Sequence, residues 1–198
     1  FVVLGAKLAG IKNIFISLQN TLYGKKYSTI YKTRLIFYIF NVLGVFFVPA
    51  TKAIYNSFSK HQIKLRKFKI IYNSCDFDYI NLLSTKYKKS YSKNIKNIVM
   101  ISRLDSIKDQ ETLLKAFSKL KEPLWRLKIV GDGPKMNSLK KLARSLSLDE
   151  EEIFYGMSSN IPYILGEAEI FAFSTTEAEG FGKVLIEAIA AKVPVIAS

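Results

Sequence analysis

Cysteine and histidine are almost absent from this sequence, which has one residue of each, Cys75 and His61. A single cysteine excludes an internal disulfide and a metal site built from clustered thiols. An intracellular, reducing compartment fits this composition best. We expect Cys75 to be a small packing residue. His61, within the basic stretch KHQIKLRK, is expected to be a solvated loop histidine without a catalytic role.

Acidic residues are scarce in the first half of the chain. Residues 1–96 contain 17 Lys and Arg but only two acidic residues, Asp76 and Asp78, whereas residues 97–198 contain 13 basic and 14 acidic residues. This contrast predicts two domains. A basic half is typical of a nucleic-acid footprint, of attraction to an anionic membrane, or of a composition rich in Lys, Asn, Ile and Tyr. RNA-binding domains would show an RNP-like aromatic motif or a GXXG loop, and the sequence has neither.

The sequence also lacks an apolar run long enough to cross a membrane. Residues 35–51 are uncharged, but Asn41, Gly44 and Pro49 interrupt them, and a span needs about 20 apolar residues. We interpret this run as a helix, a turn and a buried strand. FVVLGAKLAG has no initiating Met and no signal-peptide pattern, so we expect Phe1 to be an interior residue of a longer chain. We expect truncation at Ser198 as well, since a new strand has just begun there.

Strand-like and helical segments alternate along the chain, which predicts βα repeats around mostly parallel sheets. The first predicted domain is residues 1–76, and residues 77–94 are a predicted polar connection. The strands of the first domain are predicted at 13–17, 45–48 and 69–72. Its helices are predicted at 1–9, from 28, and at 51–60. The second domain is residues 95–198. Its strands are predicted at 97–102, 127–130, 153–155, 170–174 and from 194, and its helices at 110–120, 135–146, 161–168 and 183–191.

Chemically suggestive residues follow the strands of the second domain, where ligands of open parallel sheets bind. Arg103 and Lys108 lie in the first loop and could grip a phosphate or diphosphate at a helix N-terminus. GDGP, residues 131–134, forms the second loop, where glycine permits a close backbone approach. Gly131 and Gly156 are equally compatible with ordinary turns.

The segment EGFGKVLIE, residues 179–187, follows the fourth strand. Gly180 and Gly182 flank Phe181 at a strand-to-helix turn and would leave free backbone N–H groups for sugar hydroxyls or phosphate oxygens. Glu179 in the loop could reach a hexose, while Glu187 in the helix could accept hydrogen bonds from a ribose diol. Alone, this segment would be an ordinary turn entering a helix with a solvated glutamate.

The four loops occur together, in the order SRLDSIKDQETLLKAF, LKIVGDGP, IFYG and AEIFAFSTTEAEGFGKVLIEAIAAKVPVIAS. In this combination the sequence closely resembles the retaining glycosyltransferases of family 4, of the glycosyl transferases group 1 type. The resemblance covers residues 97–198 and extends more loosely to KNIFISLQN and FKIIYNSCDFDYI. The sequence departs from the family at Gln19, where histidine is frequent, and at Cys75, where a small residue is usual.

The resemblance implies an α/β fold of the GT-B type, with two Rossmann-like parallel-sheet domains that are both incomplete in this chain. By resemblance, Arg103 and Lys108 neutralise the donor diphosphate and, with Glu179, form the catalytic set. Glu187 binds the ribose, and the Gly156–Met157 loop contacts the base. The implied donor-binding residues are Arg103, Lys108, Gly131, Met157, Glu179, Gly180, Phe181, Gly182, Val184 and Glu187.

The implied reaction is transfer of a hexosyl group, with retention of configuration, from a UDP- or GDP-linked sugar to a glycan or lipid-linked acceptor in cell-surface polysaccharide or glycolipid synthesis. We expect neither a cofactor nor a metal, because Arg103 and Lys108 would stabilise the leaving group and no DxD-type motif directly follows a predicted strand. The fragment alone is expected to be inactive. Alternatives are a catalytically inactive GT-B fragment and a basic nucleic-acid-binding module.

The expected location is cytoplasmic, with peripheral contact at the inner face of the cell membrane. Lys25, Lys26, Lys32 and Arg34 accompany an apolar, aromatic-rich helix, a pattern suited to docking on an anionic leaflet near a lipid-linked acceptor.

Overall fold

The computed structural model describes residues 2–88 and 95–198, and the chain divides by its contacts into two compact units. Unit 1 comprises Phe1–Asn73 and Glu177–Phe181, and unit 2 comprises Ser74–Thr176 and Gly182–Ser198. The units therefore separate between Asn73 and Ser74, near the predicted end of the first domain at residue 76. Residues 89–94 of the predicted connection lie outside the described residues.

Unit 1 alternates helices with two short parallel strands. Its elements are α1 (Val2–Leu8), β1 (Phe15–Leu18), α2 (Tyr27–Val42), β2 (Phe46–Pro49) and α3 (Lys52–Lys60). Gly44 follows α2 at a φ of +70°, and its N–H donates to the Asn41 carbonyl, so a glycine ends the helix before β2 begins. The Thr51 hydroxyl accepts the Ile54 N–H and starts α3. The interpretation of residues 35–51 as helix, turn and buried strand is confirmed.

The core of unit 1 is aromatic. Phe37 from α2 stacks on Phe47 from β2 with ring centroids 5.1 Å apart, and Phe58 and Ile54 from α3 complete the cluster. The predicted strand at 69–72 is wrong. The Lys69 and Ile71 N–H groups do bond to carbonyls of β2, but the only bridge described there joins Phe47 to Phe68. Ile71 and the next residue are largely exposed, so the segment has no apolar face to bury.

Unit 2 contains a five-stranded sheet in which all described neighbours are parallel, in the order β5-β4-β3-β6-β7. Its strands are β3 (Lys96–Ile101), β4 (Trp125–Val130), β5 (Phe154–Gly156), β6 (Ile170–Phe173) and β7 (Val195–Ala197). Its helices are α4 (Phe77–Lys88), α5 (Gln110–Phe117), α6 (Met136–Ser145), α7 (Glu150–Ile153), α8 (Ile161–Gly166) and α9 (Lys183–Ala190). The predicted alternation of helices with parallel strands is confirmed for this unit.

Two apolar clusters cover the two faces of this sheet. On one face, side chains of β3 and β6 pack with α4, α8 and α9, as Val99 and Phe171 do against Leu165. On the other face, Leu127 and Ile129 of β4 pack with helices α5, α6 and α7. A parallel sheet needs apolar cover on both faces, and this arrangement supplies it. The carboxyl ends of β3, β4, β5 and β6 consequently share one edge of the unit.

Two elements of unit 2 differ from the predictions. α4 occupies residues 77–88 of the predicted polar connection and packs on α8 and α9 through Ile80, because apolar residues recur along it at helical spacing. α7 is a single turn capped by the Asp149 carboxylate, which accepts the Glu151 N–H. Within residues 2–88 and 95–198, no helix is both long enough and apolar enough to cross a membrane.

Candidate functional site

A cavity of about 300 Å³ opens in unit 2 at the carboxyl ends of β3, β4 and β5. Four of the predicted site residues line it: Arg103, Gly131, Met157 and Val184. Each comes from a different segment, namely the loop after β3, the loop after β4, the loop after β5 and the first turn of α9. The topology of the sheet therefore brings together residues that are up to 81 positions apart in the sequence.

Main-chain hydrogen bonds join the segments around this cavity. The Ser102 N–H donates to the Val130 carbonyl at 3.0 Å, and the Gly131 N–H donates to the Gly156 carbonyl at 2.7 Å. Gly131 has a φ of +140°, and a Cβ there would overlap the Ser102 carbonyl. Glycine at 131 is thus required by the close approach of two loops. Its contribution to donor binding stays a prediction.

The side chain of Arg103 extends from the loop after β3 into solvent. It is 75% exposed, and its Nε lies 3.0 Å from the Asp105 carboxylate. Behind it, the fully buried Gln110 side chain donates to the Arg103 carbonyl and to the Ser102 hydroxyl, at 3.0 and 3.1 Å. Gln110 thus fixes the backbone from which the guanidinium extends. Neither Asp105 nor Gln110 was predicted as a site residue, because an ordinary loop acid and a helix-start glutamine give no signal of their own.

Lys108 lies further along the same loop, against the end of β6. It forms an isolated antiparallel bridge with Thr175, and its Nζ lies 5.0 Å from the centroid of the Phe173 ring. The Asp109 N–H donates to the Ser174 carbonyl, and the Thr176 N–H and hydroxyl donate to the Ile107 carbonyl. The loops after β3 and β6 are therefore joined by several hydrogen bonds, and these hold the Lys108 ammonium over an aromatic face.

Gly182 and Glu187 mark the start and the interior of α9. A Cβ at Gly182 would overlap the Phe173 ring, so this glycine is needed for packing. The Glu187 side chain is only 12% exposed, and its carboxylate lies 3.6 Å from the Lys183 ammonium. The pKa of the Cys75 thiol is raised above its ordinary value. Burial is the larger cause, and the nearby Glu187 carboxylate is the second. Glu187 is therefore a largely buried carboxylate, in contrast to a solvated helix glutamate.

Glu179, Gly180 and Phe181 belong to unit 1 by their contacts. The Glu179 carboxylate accepts the backbone N–H groups of Gly180 and Phe181, both at 3.1 Å. These two N–H groups were predicted to be free, and that expectation is wrong for this structure. A glutamate side chain can accept hydrogen bonds from the backbone N–H groups of the next two residues, and the sequence pattern did not predict this local bonding.

The same segment packs against the loops that follow β1 and β2. Thr21 and Thr51 donate their hydroxyls to the carbonyls of Glu177 and Gly180, at 2.9 and 3.3 Å. A Cβ at Gly180 would overlap the Gln19 carbonyl, so glycine is required here too. Gln19, at the position where the family often has histidine, accepts a hydrogen bond from the Asn73 amide at 3.0 Å.

A second cavity of about 370 Å³ lies in unit 1, and Tyr23, Lys60, Glu177 and Glu179 line it. The Lys60 Nζ lies 5.2 Å from the centroid of the Tyr23 ring, and His61 lies beside the same ring. The His61 Nε2 is buried and makes no hydrogen bond to any residue that the structure describes. The expectation of a solvated loop histidine is therefore wrong, since one ring nitrogen is buried and the residue ends α3.

Comparisons with known proteins agree with this geometry. A family model described as Glycosyl transferases group 1 matches residues 84–198. The chain is 32% identical over 134 residues to an N-acetylgalactosamine-N,N'-diacetylbacillosaminyl-diphospho-undecaprenol 4-alpha-N-acetylgalactosaminyltransferase of Campylobacter jejuni, covering 68% of this chain and 35% of the relative. It is 32% identical over 130 residues to N-acetyl-alpha-D-glucosaminyl L-malate synthase of Bacillus anthracis, covering 64% and 34%. The chain thus spans about a third of the length of these relatives.

Solved structures share the fold. HepE of Anabaena, in complex with UDP and glucose, superposes with a TM-score of 0.84 at 21% identity, over 99% of this chain and 55% of HepE. A glycosyltransferase of Rickettsia africae gives a TM-score of 0.68 at 21% identity, over 99% of this chain and 60% of that protein. The two units have the Rossmann-like α/β folds of the GT-B type. By its sequence match and by this fold, the chain belongs to the glycosyl transferases group 1 family.

Proposed function

We propose that this chain provides the donor site of a hexosyltransferase that uses a UDP- or GDP-linked sugar and retains the configuration at the transferred carbon. The observation that carries this proposal is the cavity in unit 2, where Arg103, Gly131, Met157 and Val184 converge at the carboxyl ends of three strands. Its volume is at the lower end of the range for small-molecule sites, and its position is the usual one for nucleotides on parallel sheets.

We assign Arg103 and Lys108 to the diphosphate of the donor. The Arg103 guanidinium is exposed beside the cavity and lies against the largely buried Asp105 carboxylate, which orients it where it could also bind a phosphate. Lys108 is held by the hydrogen-bonded loops after β3 and β6. Two fixed cations would stabilise the negative charge that develops on the leaving nucleoside diphosphate. The proposed reaction needs neither a metal nor a cofactor, because the cations supply this stabilisation.

We assign the two glutamates to the sugars of the donor. Glu187 is largely buried in the interior of α9 and would accept hydrogen bonds from the ribose hydroxyls. Glu179, with the backbone of Gly180, Phe181 and Gly182, would hold the transferred hexose. The Glu179 carboxylate accepts the Gly180 and Phe181 N–H groups in this structure, and hydrogen bonds to sugar hydroxyls would replace these bonds in the donor complex.

The names of the relatives support the substrate classes. The structure of Anabaena HepE contains UDP and glucose, and the Campylobacter jejuni relative is named for a diphospho-undecaprenol-linked acceptor. We therefore propose a glycan or lipid-linked acceptor for this protein, in the synthesis of cell-surface polysaccharide or glycolipid. Because the chain spans about a third of its relatives, we also propose that the 198 residues alone bind donor without turnover. Donor binding is thus the direct measurement.

The test is a thermal-shift screen of the purified protein with UDP-, GDP- and ADP-sugars, followed by calorimetric titration of the best ligand. Lys108→Ala and Glu187→Ala should each weaken binding about tenfold to a hundredfold, as expected for hydrogen bonds to charged groups. Lys115→Ala and Glu122→Ala remove exposed charges from the same unit and serve as matched controls. If Lys108→Ala and Glu187→Ala bind the ligand as tightly as their controls do, the assignment is wrong.

Retention and metal independence need turnover, so they are tested on the longest natural form of the protein. The anomeric configuration of the product is read by NMR spectroscopy, and transfer is repeated after chelation of divalent cations. An inverted product would exclude retention. Loss of transfer on chelation, restored by adding a divalent cation, would exclude the metal-independent mechanism.

A further inference from the structure

One face of α2 is an exposed apolar stripe. Its five side chains recur every three or four residues, are 57% to 92% exposed, and are Tyr27, Tyr31, Leu35, Tyr38 and Val42. The opposite face of the helix supplies Phe37 to the core of unit 1. Single exposed apolar residues are ordinary, but five aligned along one helix face mark an interaction surface.

Basic side chains border this stripe. Lys32 and Arg34 are exposed on α2 itself, and Lys64 and Arg66 are exposed on the segment that follows α3. Ile63 and Leu65 alternate with these last two cations and are buried, which turns Lys64 and Arg66 outward.

Asn41 fastens this segment to α2. Its side-chain amide donates to the Lys64 carbonyl at 2.7 Å and accepts the Arg66 N–H at 2.9 Å. The cations therefore have a fixed place beside the stripe.

A cavity of about 410 Å³ lies between α2 and this segment. Tyr31, Tyr38, Arg34, Lys64 and Arg66 are among the residues that line it. The Arg34 guanidinium donates to the neutral Gln62 amide oxygen at 2.8 Å. The sequence has no acidic residue before Asp76, so this region of the chain is strongly cationic. The cavity is suited to an anionic group whose attached chain is apolar.

We propose that this face of unit 1 binds an anionic lipid surface, with the stripe at the headgroup level and the cavity on a lipid phosphate. Tyrosine side chains suit the boundary between headgroups and acyl chains, since the ring is apolar and the hydroxyl is polar. The cations complement the negative charge of the cytoplasmic leaflet. A protein partner would have to supply acidic groups arranged around an apolar centre. An anionic bilayer presents negatively charged headgroups and apolar acyl chains over its whole surface.

This inference extends the proposed function, because it places the enzyme where a lipid-linked acceptor is embedded. It does not depend on donor binding, which is measured separately. Each Lys or Arg close to an anionic surface strengthens binding about fivefold, so loss of three should weaken it roughly a hundredfold.

The experiment is co-sedimentation of the purified protein with vesicles of phosphatidylcholine alone, or of phosphatidylcholine mixed equally with phosphatidylglycerol. We expect binding to the anionic vesicles only, weakening as salt rises. The triple variant Arg34→Gln, Lys64→Gln, Arg66→Gln should bind roughly a hundredfold more weakly, and Tyr31→Ser with Leu35→Ser about tenfold more weakly. The matched control, Lys115→Gln, Lys119→Gln, Lys121→Gln, removes the same charge from unit 2 and should stay within about threefold of wild type.

Circular dichroism and the donor thermal shift verify that each variant is folded. Equal binding to neutral vesicles, or an effect of the control triple as large as that of the cavity triple, would overturn the proposal. So would a protein that ignores vesicles but is a dimer by light scattering and becomes monomeric on Tyr31→Ser with Leu35→Ser, because a second copy would then cover the stripe. Loss of vesicle binding with intact donor binding leaves the proposed donor site standing.

Discussion

The ammonium of Lys108 lies 5.0 Å from the centre of the Phe173 ring, and the same ring occupies the space that a side chain at Gly182 would need. Phe173 is the last residue of β6 and is nearly buried. One aromatic ring thus contacts both the loop after β3 and the start of α9. It is a positioning residue for Lys108.

Phe173→Leu should weaken binding of the best nucleotide sugar about threefold to tenfold. The substitution removes an aromatic face beneath the ammonium, an interaction that contributes about 0.5–1.5 kcal/mol. Isothermal titration calorimetry measures the effect. Phe171→Leu is the matched control, because it shortens a buried phenylalanine of the same strand that does not lie under Lys108. Equal losses of affinity in both variants would assign the effect to general loss of packing.

Gly131→Ala should lower the free energy of unfolding by about 2–3 kcal/mol, because its Cβ would overlap a backbone carbonyl that cannot rotate away. Urea denaturation followed by circular dichroism gives this value. Gly5→Ala is the control, since Gly5 lies in α1 with open space around it, and we expect that change to be neutral or stabilising by up to about 1 kcal/mol. A Gly131→Ala protein as stable as the Gly5→Ala protein would contradict the close approach of the two loops.

Glu167→Gln should destabilise the fold by about 3–5 kcal/mol. The Glu167 carboxylate lies 2.7 Å from the Lys128 ammonium, and their side chains are only 3% and 7% exposed, so the change leaves a buried cation without its counter-ion. Chemical denaturation measures the free energy of unfolding of Glu167→Gln and of a control variant, Glu111→Gln. Glu111 pairs with Lys135 at a similar distance but is half-exposed, so its loss should cost less than about 1 kcal/mol. Similar costs at the two sites would contradict the burial of the first pair.

Alkylation of Cys75, the only thiol in the chain, should be slow at neutral pH and should rise with pH later than for an ordinary cysteine. Burial and then the Glu187 carboxylate raise the pKa of this thiol, whereas Lys183 lowers it. Glu187→Gln should therefore lower the pKa and speed alkylation, and Lys183→Gln should do the reverse. Iodoacetamide kinetics across a pH series test both directions. Identical profiles in the two variants would place these charges too far from Cys75 to matter.

The same raised pKa has a consequence for stability. A thiol whose pKa is higher in the folded state favours folding while it is protonated. Its contribution is fully present below the unfolded pKa of about 8.5, and it is lost as the pH rises through the folded pKa. Above a pH of about 8.5, the free energy of unfolding should therefore fall less steeply with pH in Cys75→Ala than in the wild type.

The fold of unit 2 could be predicted because its signals are periodic. Apolar strands and helices with a regular apolar face repeat there, and each apolar cluster uses that pattern. α7 was not predicted because four residues are too few for apolar side chains to recur at helical spacing. The predicted strand at 69–72 failed for another reason: its residues have strand-like composition, but Ile71 meets no second layer that could bury it.

The candidate site could also be predicted only in part. Loop positions after strands identified Arg103 and Gly131 as neighbours, because topology alone determines that meeting point, whereas Met157 was predicted from the family resemblance. Contacts made by side chains on nearby backbone were not predictable. The fold-back of Glu179 on Gly180, the Gln110 bonds behind Arg103 and the Phe173 ring under Lys108 all depend on rotamers that packing selects.

Main-chain hydrogen bonds around the cavity of unit 2 do not depend on the identity of most side chains there. These bonds use amide and carbonyl groups that every sequence shares, and they require glycine at position 131, where a Cβ would overlap the Ser102 carbonyl. Arg103 and Met157 line the cavity with largely exposed side chains, whereas Val184 also packs against the apolar core of the unit. Arg103 and Met157 can therefore be exchanged while the scaffold stays in place, and under the proposed function they are the positions at which a different base or sugar preference would be engineered.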